Sequence, residues 1–293
     1  MKIHPFFKKG TLGALLVTSL LACNINENKK ENQQYTPPHS SITYLKEDAN
    51  KDVIREAPWK NLEEYNSFVQ SKVNEYYISD VTDLYNFYNI NRSLPKYGFK
   101  SNEDPKLCLD CEGGLYKEDV DSIYFYSTCS EELFKDYLKY SQRIIKENPR
   151  EELVNRLHHY IKHEAAHAFY YRLGKELGEE YLFNINRDNL PILDKIQYNL
   201  IEEGIADYMA SKGKLPVYVE KLNDSYFKKM IEEKNDFYLY DLGFILVKPI
   251  LDIDFKKGIE ELIKNPLTKK DLNDLLGYKD RRIENLLKNL ETK

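Results

Sequence analysis

The sequence predicts an α+β protein that is mostly α, with a small β-sheet, and three observations carry that expectation. Apolar residues recur at helical spacing from Trp59 to about Ile78, and the pattern is helical again from Ser130 nearly to the end. The best strand candidate, Asp121 to Ser127 (Asp-Ser-Ile-Tyr-Phe-Tyr-Ser), is aromatic and β-branched. The composition of the 293 residues, 42% apolar and 31% charged, is that of a chain able to bury a real core in one large or two modest domains. With 4 Cys, 12 Gly and 11 Pro it is neither a disulfide scaffold nor a low-complexity chain. A net charge of −5 argues against a nucleic-acid partner. The 24 Tyr read as core and surface filling, with no function attached.

The N-terminus has the layout of an export signal. Lys2, Lys8 and Lys9 form a basic start, and Thr11 to Ala22 is an apolar stretch of 12 residues, too short to span a bilayer. It ends in Leu20-Leu21-Ala22-Cys23, which resembles the bacterial lipoprotein signal. That resemblance implies removal of residues 1–22 and lipidation of Cys23, hence a body exported to the bacterial cell envelope and held at a membrane by its N-terminal lipid. Removing 1–22 takes away three Lys and no acid, so the net charge falls from −5 to −8. Residues 23–50 are polar, without helical or strand period, and read as a flexible tether.

The folded body is expected from about residue 51. A first helix covers Trp59 to about Ile78, and a second, Tyr-rich helical segment runs from Asp80 to Asn89. Residues 91–114 carry Pro95, Gly98, Pro105 and Gly113-Gly114 and read as a loop. Within it lie Cys108 and Cys111, with Cys129 further on. In an oxidising envelope two of these three thiols would form a disulfide, and the pairing is open. No linker follows residue 114, so 51–122, a helical and loop region, and 123–293 are read as one folded unit.

Residues 163–167 read His-Glu-Ala-Ala-His. Two His four apart on a helix lie on one face, one turn from each other, and can converge on one ion. Glu164 then points toward the metal's open position, where it can take a proton from water that zinc makes more acidic. The context is helical. Asn148 offers an N-cap, Pro149 the first helical position and Glu151 the third; Leu153, Leu157, Tyr160 and Ile161 give an apolar stripe, and Gly174 is the expected end.

A catalytic zinc needs a third protein ligand. No His follows His167, and Tyr170 and Leu173 occupy the positions of a metzincin Gly and His. His159 and His167 are about 12 Å apart along a straight helix, so three successive His cannot share one ion. His159 is read as lying behind the ligands or facing substrate, and His158 as an ordinary surface residue. A carboxylate is left. Pro191 opens a further helix, Ile192, Leu193, Ile196, Leu200 and Ile201 give it an apolar face, and Gly213 ends it. It carries Glu202, Glu203, Gly204, Ala206 and Asp207, and either Glu could face the His pair.

Glu203-Gly204-x-Ala206-Asp207 resembles the second signature of the gluzincin metallopeptidases. The resemblance covers roughly residues 123–211 and implies a zincin-like domain built of an active-site helix, a glutamate helix and a small sheet. It implies one Zn2+ held by His163, His167 and Glu203, with Asp207 orienting a ligand His through its ring N–H. Gly204 and Ala206 would let the glutamate helix approach the His helix closely. Tyr238–Phe244 and Asn265–Thr268 also look like the tail of poorly characterised bacterial predicted zinc peptidases. Gluzincins hold the oxyanion with a later Tyr or His; here that points to Tyr240, with Tyr238 as the alternative.

These readings lead to a lipid-anchored zinc metallopeptidase that acts on a peptide or protein substrate, with Glu164 as general base. The rival from another class is a non-catalytic surface lipoprotein that binds a partner and keeps a structural or relic metal site. A peptidoglycan-directed enzyme is a third reading, which the acidic charge does not favour. Substrate preference and oligomeric state are not legible.

Overall fold

A computed structural model describes residues 58–101, 114–117, 120–128, 134–135, 138, 148–179, 192–214 and 237–291. The signal, Cys23, the tether, Cys108, Cys111 and Cys129 lie outside them. The chain is mostly helical with one three-stranded sheet, an α+β fold. In order come α1 (Leu62–Phe87), β1 (Lys96–Ser101), β2 (Gly114–Lys117), β3 (Ser122–Thr128), α2 (Pro149–Glu176), α3 (Ile192–Ala210), α4 (Phe237–Leu251), α5 (Phe255–Lys264), a 3-10 turn (Asp271–Asn273) and α6 (Leu275–Glu291). Among the described residues no helix is long and apolar enough to cross a membrane. Cα packing divides the chain into two compact units.

One unit takes the described residues up to 169, with 209–212. Its first helix starts at Asn61, whose side chain accepts from the Glu64 amide at 2.8 Å, while the Glu64 carboxylate accepts from the Lys60 amide at 2.7 Å. This is a capping box displaced by one residue. The two expected helical segments are one helix. Val69, Val73, Tyr77, Val81 and Leu84 are all buried, so a single apolar stripe runs through residues 79 and 80 unbroken. The sheet has the order β1-β3-β2, with β1 parallel and β2 antiparallel to the central strand. Its buried Ile123 and Phe125 come from the run that the sequence marks as strand. The expected loop 91–114 contains a strand after all. β1 begins directly after Pro95, whose carbonyl accepts from the Tyr77 hydroxyl at 2.7 Å, and Tyr97 stacks on Tyr77 at 4.0 Å. Proline at the edge of a strand loses no ladder hydrogen bond, which is how a turn signal comes to stand beside a strand.

In α2 the Asn148 side chain accepts from the Arg150 amide at 3.1 Å, at the expected start. Arg150 also donates to the Pro58 carbonyl at 2.9 Å and pairs with Glu64 at 2.6 Å, fastening the beginnings of α1 and α2 together. The helix does not stop at Gly174. It continues to Glu176, and the residue with positive φ is Gly178, at 76°. One interior glycine costs only about 1 kcal/mol against Ala, too little to end a helix that packing holds. His158 is no ordinary surface residue: its Nδ1 lies 2.6 Å from Oδ2 of the buried Asp80 on α1, whose Oδ1 also faces Lys162 at 3.4 Å.

The other unit takes the described residues 170–208 and 213–291. Here α3 and α4 cross with their backbones in contact. A methyl group on Gly204 would overlap the carbonyl carbon and oxygen of Gly243 and come within 2.7 Å of its Cα; one on Gly243 would overlap the Leu200 carbonyl oxygen and meet Gly204 Cα at 2.9 Å. Leu200, Ile205, Phe244, Val247 and Ile250 are buried. Lys212 and Gly213 follow α3 with φ of 55° and 70°, and the Gly213 amide donates to the Tyr208 carbonyl at 2.8 Å, a left-handed stop. Tyr208 donates to Asp252 at 2.9 Å, and Lys248 reaches both Asp252 at 2.8 Å and the Gly213 carbonyl at 2.7 Å. Burial, then Asp252, pushes the Tyr208 hydroxyl well above its ordinary pKa, so it stays a donor. Further along, Asp254 caps α5 by accepting from Lys257, and Arg282 of α6 pairs with Glu261 at 3.2 Å.

The helix crossing supplies a first prediction. Gly204→Ala and Gly243→Ala should each cost about 3 kcal/mol, the upper end of overpacking, because the obstacle is backbone and cannot rotate away. Gly178→Ala, where nothing lies within 4 Å of the new methyl, should cost about 1 kcal/mol from its positive φ alone. Urea unfolding of the three variants checks the difference.

Candidate metal centre

The helical repeat of α2 sets the site. Residues 163 and 167 fall one turn apart on one face, and His163, Glu164 and His167 are buried, at 6%, 6% and 7% exposure. The two imidazoles turn their Nε2 atoms toward each other at 3.0 Å. Zinc–nitrogen bonds of about 2.0–2.1 Å at a tetrahedral angle would separate two such nitrogens by about 3.3 Å. The pair is therefore close to the spacing that one ion requires.

Glu203, on α3, completes a group. One ligand atom from each of His163, His167 and Glu203 lies within 4.8 Å of the others. Two imidazoles and one carboxylate are a donor set that suits a divalent cation of borderline softness. Of the two candidate acids, Glu203 joins this group, whereas Glu202 is buried and belongs to no such group among the described residues. Asp207, one turn further along α3, forms a second group with His159 and His163, again within 4.8 Å. His159 and His167 share no group among the described residues. These groups can hold a metal ion.

Glu164 is held from the sheet. Its Oε2 accepts from the Tyr116 amide at 2.8 Å. Tyr116 sits on β2, an edge strand, so an amide turned away from β3 has no strand to bond and reaches the carboxylate instead. The Tyr85 hydroxyl of α1 donates to the carbonyl of Ala165, inside the His-Glu-Ala-Ala-His turn, at 3.5 Å. Neither contact is visible in the sequence. Gly113-Gly114 reads as loop, and four residues of strand leave too short an alternation to detect.

Gly204 meets α4 at Gly243. Tyr240 and Tyr238 lie in the first turn of α4, and Tyr240 is half-buried, three residues before Gly243. Comparison of the chain with protein-family models, curated proteins and solved structures finds no match.

The difference between the two acids is open to measurement. Glu203→Gln should weaken binding of a divalent ion on the order of 100-fold, and Glu202→Gln should leave it within a few-fold of the parent. Competition of each purified variant with a chromogenic chelator reads the affinity directly.

Proposed function

We propose that the protein is a zinc-dependent metallopeptidase of the gluzincin type, tethered to a membrane of the bacterial envelope through lipid on Cys23. The observation that carries the reading is the group of His163, His167 and Glu203 with Glu164 beside it on the same helix. Three protein ligands are what a catalytic zinc takes, whereas structural zinc is closed by four. Among the described residues the group offers three, which favours the enzyme over a partner-binding lipoprotein.

In this reading His163, His167 and Glu203 hold one Zn2+, which when bound supplies a Lewis acid that makes water more acidic and polarises a carbonyl. Glu164 accepts the proton of the attacking water and passes it to the leaving amine of the peptide. The Tyr116 amide fixes one oxygen of that carboxylate. Asp207, with a carboxylate oxygen within 4.8 Å of a His163 ring nitrogen, is the group proposed to orient that ring. Tyr240 is the donor proposed for the oxyanion, because its helix crosses α3 at the residue next to Glu203.

Zinc content and cleavage of a peptide library, measured together for the parent and for Glu164→Gln, test the mechanism. The expected result is unchanged metal with turnover lower by about 10²–10⁴-fold. Metal-bound protein whose cleavage is indifferent to Glu164→Gln would sink it. The anchor is tested separately: Cys23→Ser should move the protein from the membrane fraction to the soluble one.

A further inference from the structure

His163 belongs to two groups of ligand atoms. The inner one adds His167 and Glu203; the other adds His159 and Asp207. The second is the first shifted by one turn on each helix, from 167 to 163 and 163 to 159 on α2, and from 203 to 207 on α3. One turn is about 5.4 Å. The two sets differ in access. In the inner group both His are buried and Glu203 is half-buried, while in the outer group His159 is exposed. Each set holds two imidazoles and one carboxylate, so both favour the same class of ion.

Sharing His163 ties the two positions together. His159 and His167 are about 12 Å apart along α2 and share no group among the described residues, so a single ion cannot draw full ligation from both sets at once. Two ions could do so only through a bridging imidazolate. We propose that His159, His163 and Asp207 form an outer metal position that captures a divalent cation such as Zn2+ or Co2+ from solvent and hands it one turn inward. In the transfer His163 stays bound, His159 and Asp207 leave, and His167 and Glu203 take their places. Asp207 is then released to orient the His163 ring. His159 thus acts on loading, and the final complex does not contain it. The inference rests on the inner group being a metal centre.

Cobalt is the probe, because its visible absorption reports each ligand set. Four full-length proteins are compared: the parent, His159→Gln, His167→Ala and the double variant. The parent should bind one Co2+ tightly. His159→Gln, at an exposed position where folding is not at stake, should bind one Co2+ with equal affinity but load on the order of 10-fold more slowly in stopped flow. His167→Ala should retain weaker binding, and adding His159→Gln should reduce it by at least about 10-fold. Equal loading rates for the parent and His159→Gln, or equal affinities for His167→Ala and the double variant, would overturn the outer position while leaving the inner one intact. A parent that binds no Co2+ overturns the metal centre itself.

Discussion

Two helix backbones in contact at Gly204 and Gly243 are the constraint on which the second compact unit depends. The approach admits no side chain on either residue, so it fixes how α4 lies across α3 to within the width of a methyl group. Leu200, Ile205, Phe244 and Val247 bury their side chains around that contact. Glu203 is the residue next to it.

Beyond the crossing, the site is a product of periodicity. A spacing of four residues puts His163 and His167 on one face of α2, and the same spacing puts Glu203 and Asp207 on one face of α3. Two groups that could hold a metal ion follow from one geometric rule applied twice. Around them, contacts of a different kind hold the parts in place: Arg150 joins the starts of α1 and α2, Asp80 gathers His158 and Lys162, and the Tyr85 hydroxyl reaches the Ala165 carbonyl.

Much of this was legible because the signals were local. Asn148 and Pro149 mark the start of α2, the His-Glu-Ala-Ala-His run marks the imidazole pair of a group that could hold a metal ion, and the aromatic run 121–127 marks β3. Other features escaped where a longer-range force outweighed a local one. Gly174 looks like an end, yet packing carries α2 past it to Glu176, and the positive φ that makes glycine useful comes two residues later, at Gly178. Residues 79 and 80 look like a boundary, yet the apolar stripe of α1 runs through them. Pro95 and Gly98 look like a turn, yet β1 begins between them, and a methyl group on Gly98 would lie 3.6 Å from the Tyr124 ring. The contact of Gly204 with Gly243 was not legible in sequence, since a small residue says only that something comes close.

The bond between the Tyr116 amide and Glu164 has a consequence for how such a site can change over time. Its donor is main chain, so no codon at position 116 specifies it, and every residue except proline supplies the same N–H. Position 116 can therefore drift in side chain while the acid beside the ligands stays held. A comparison of side chains would pass over the contact, and what inheritance must preserve is the path of four strand residues.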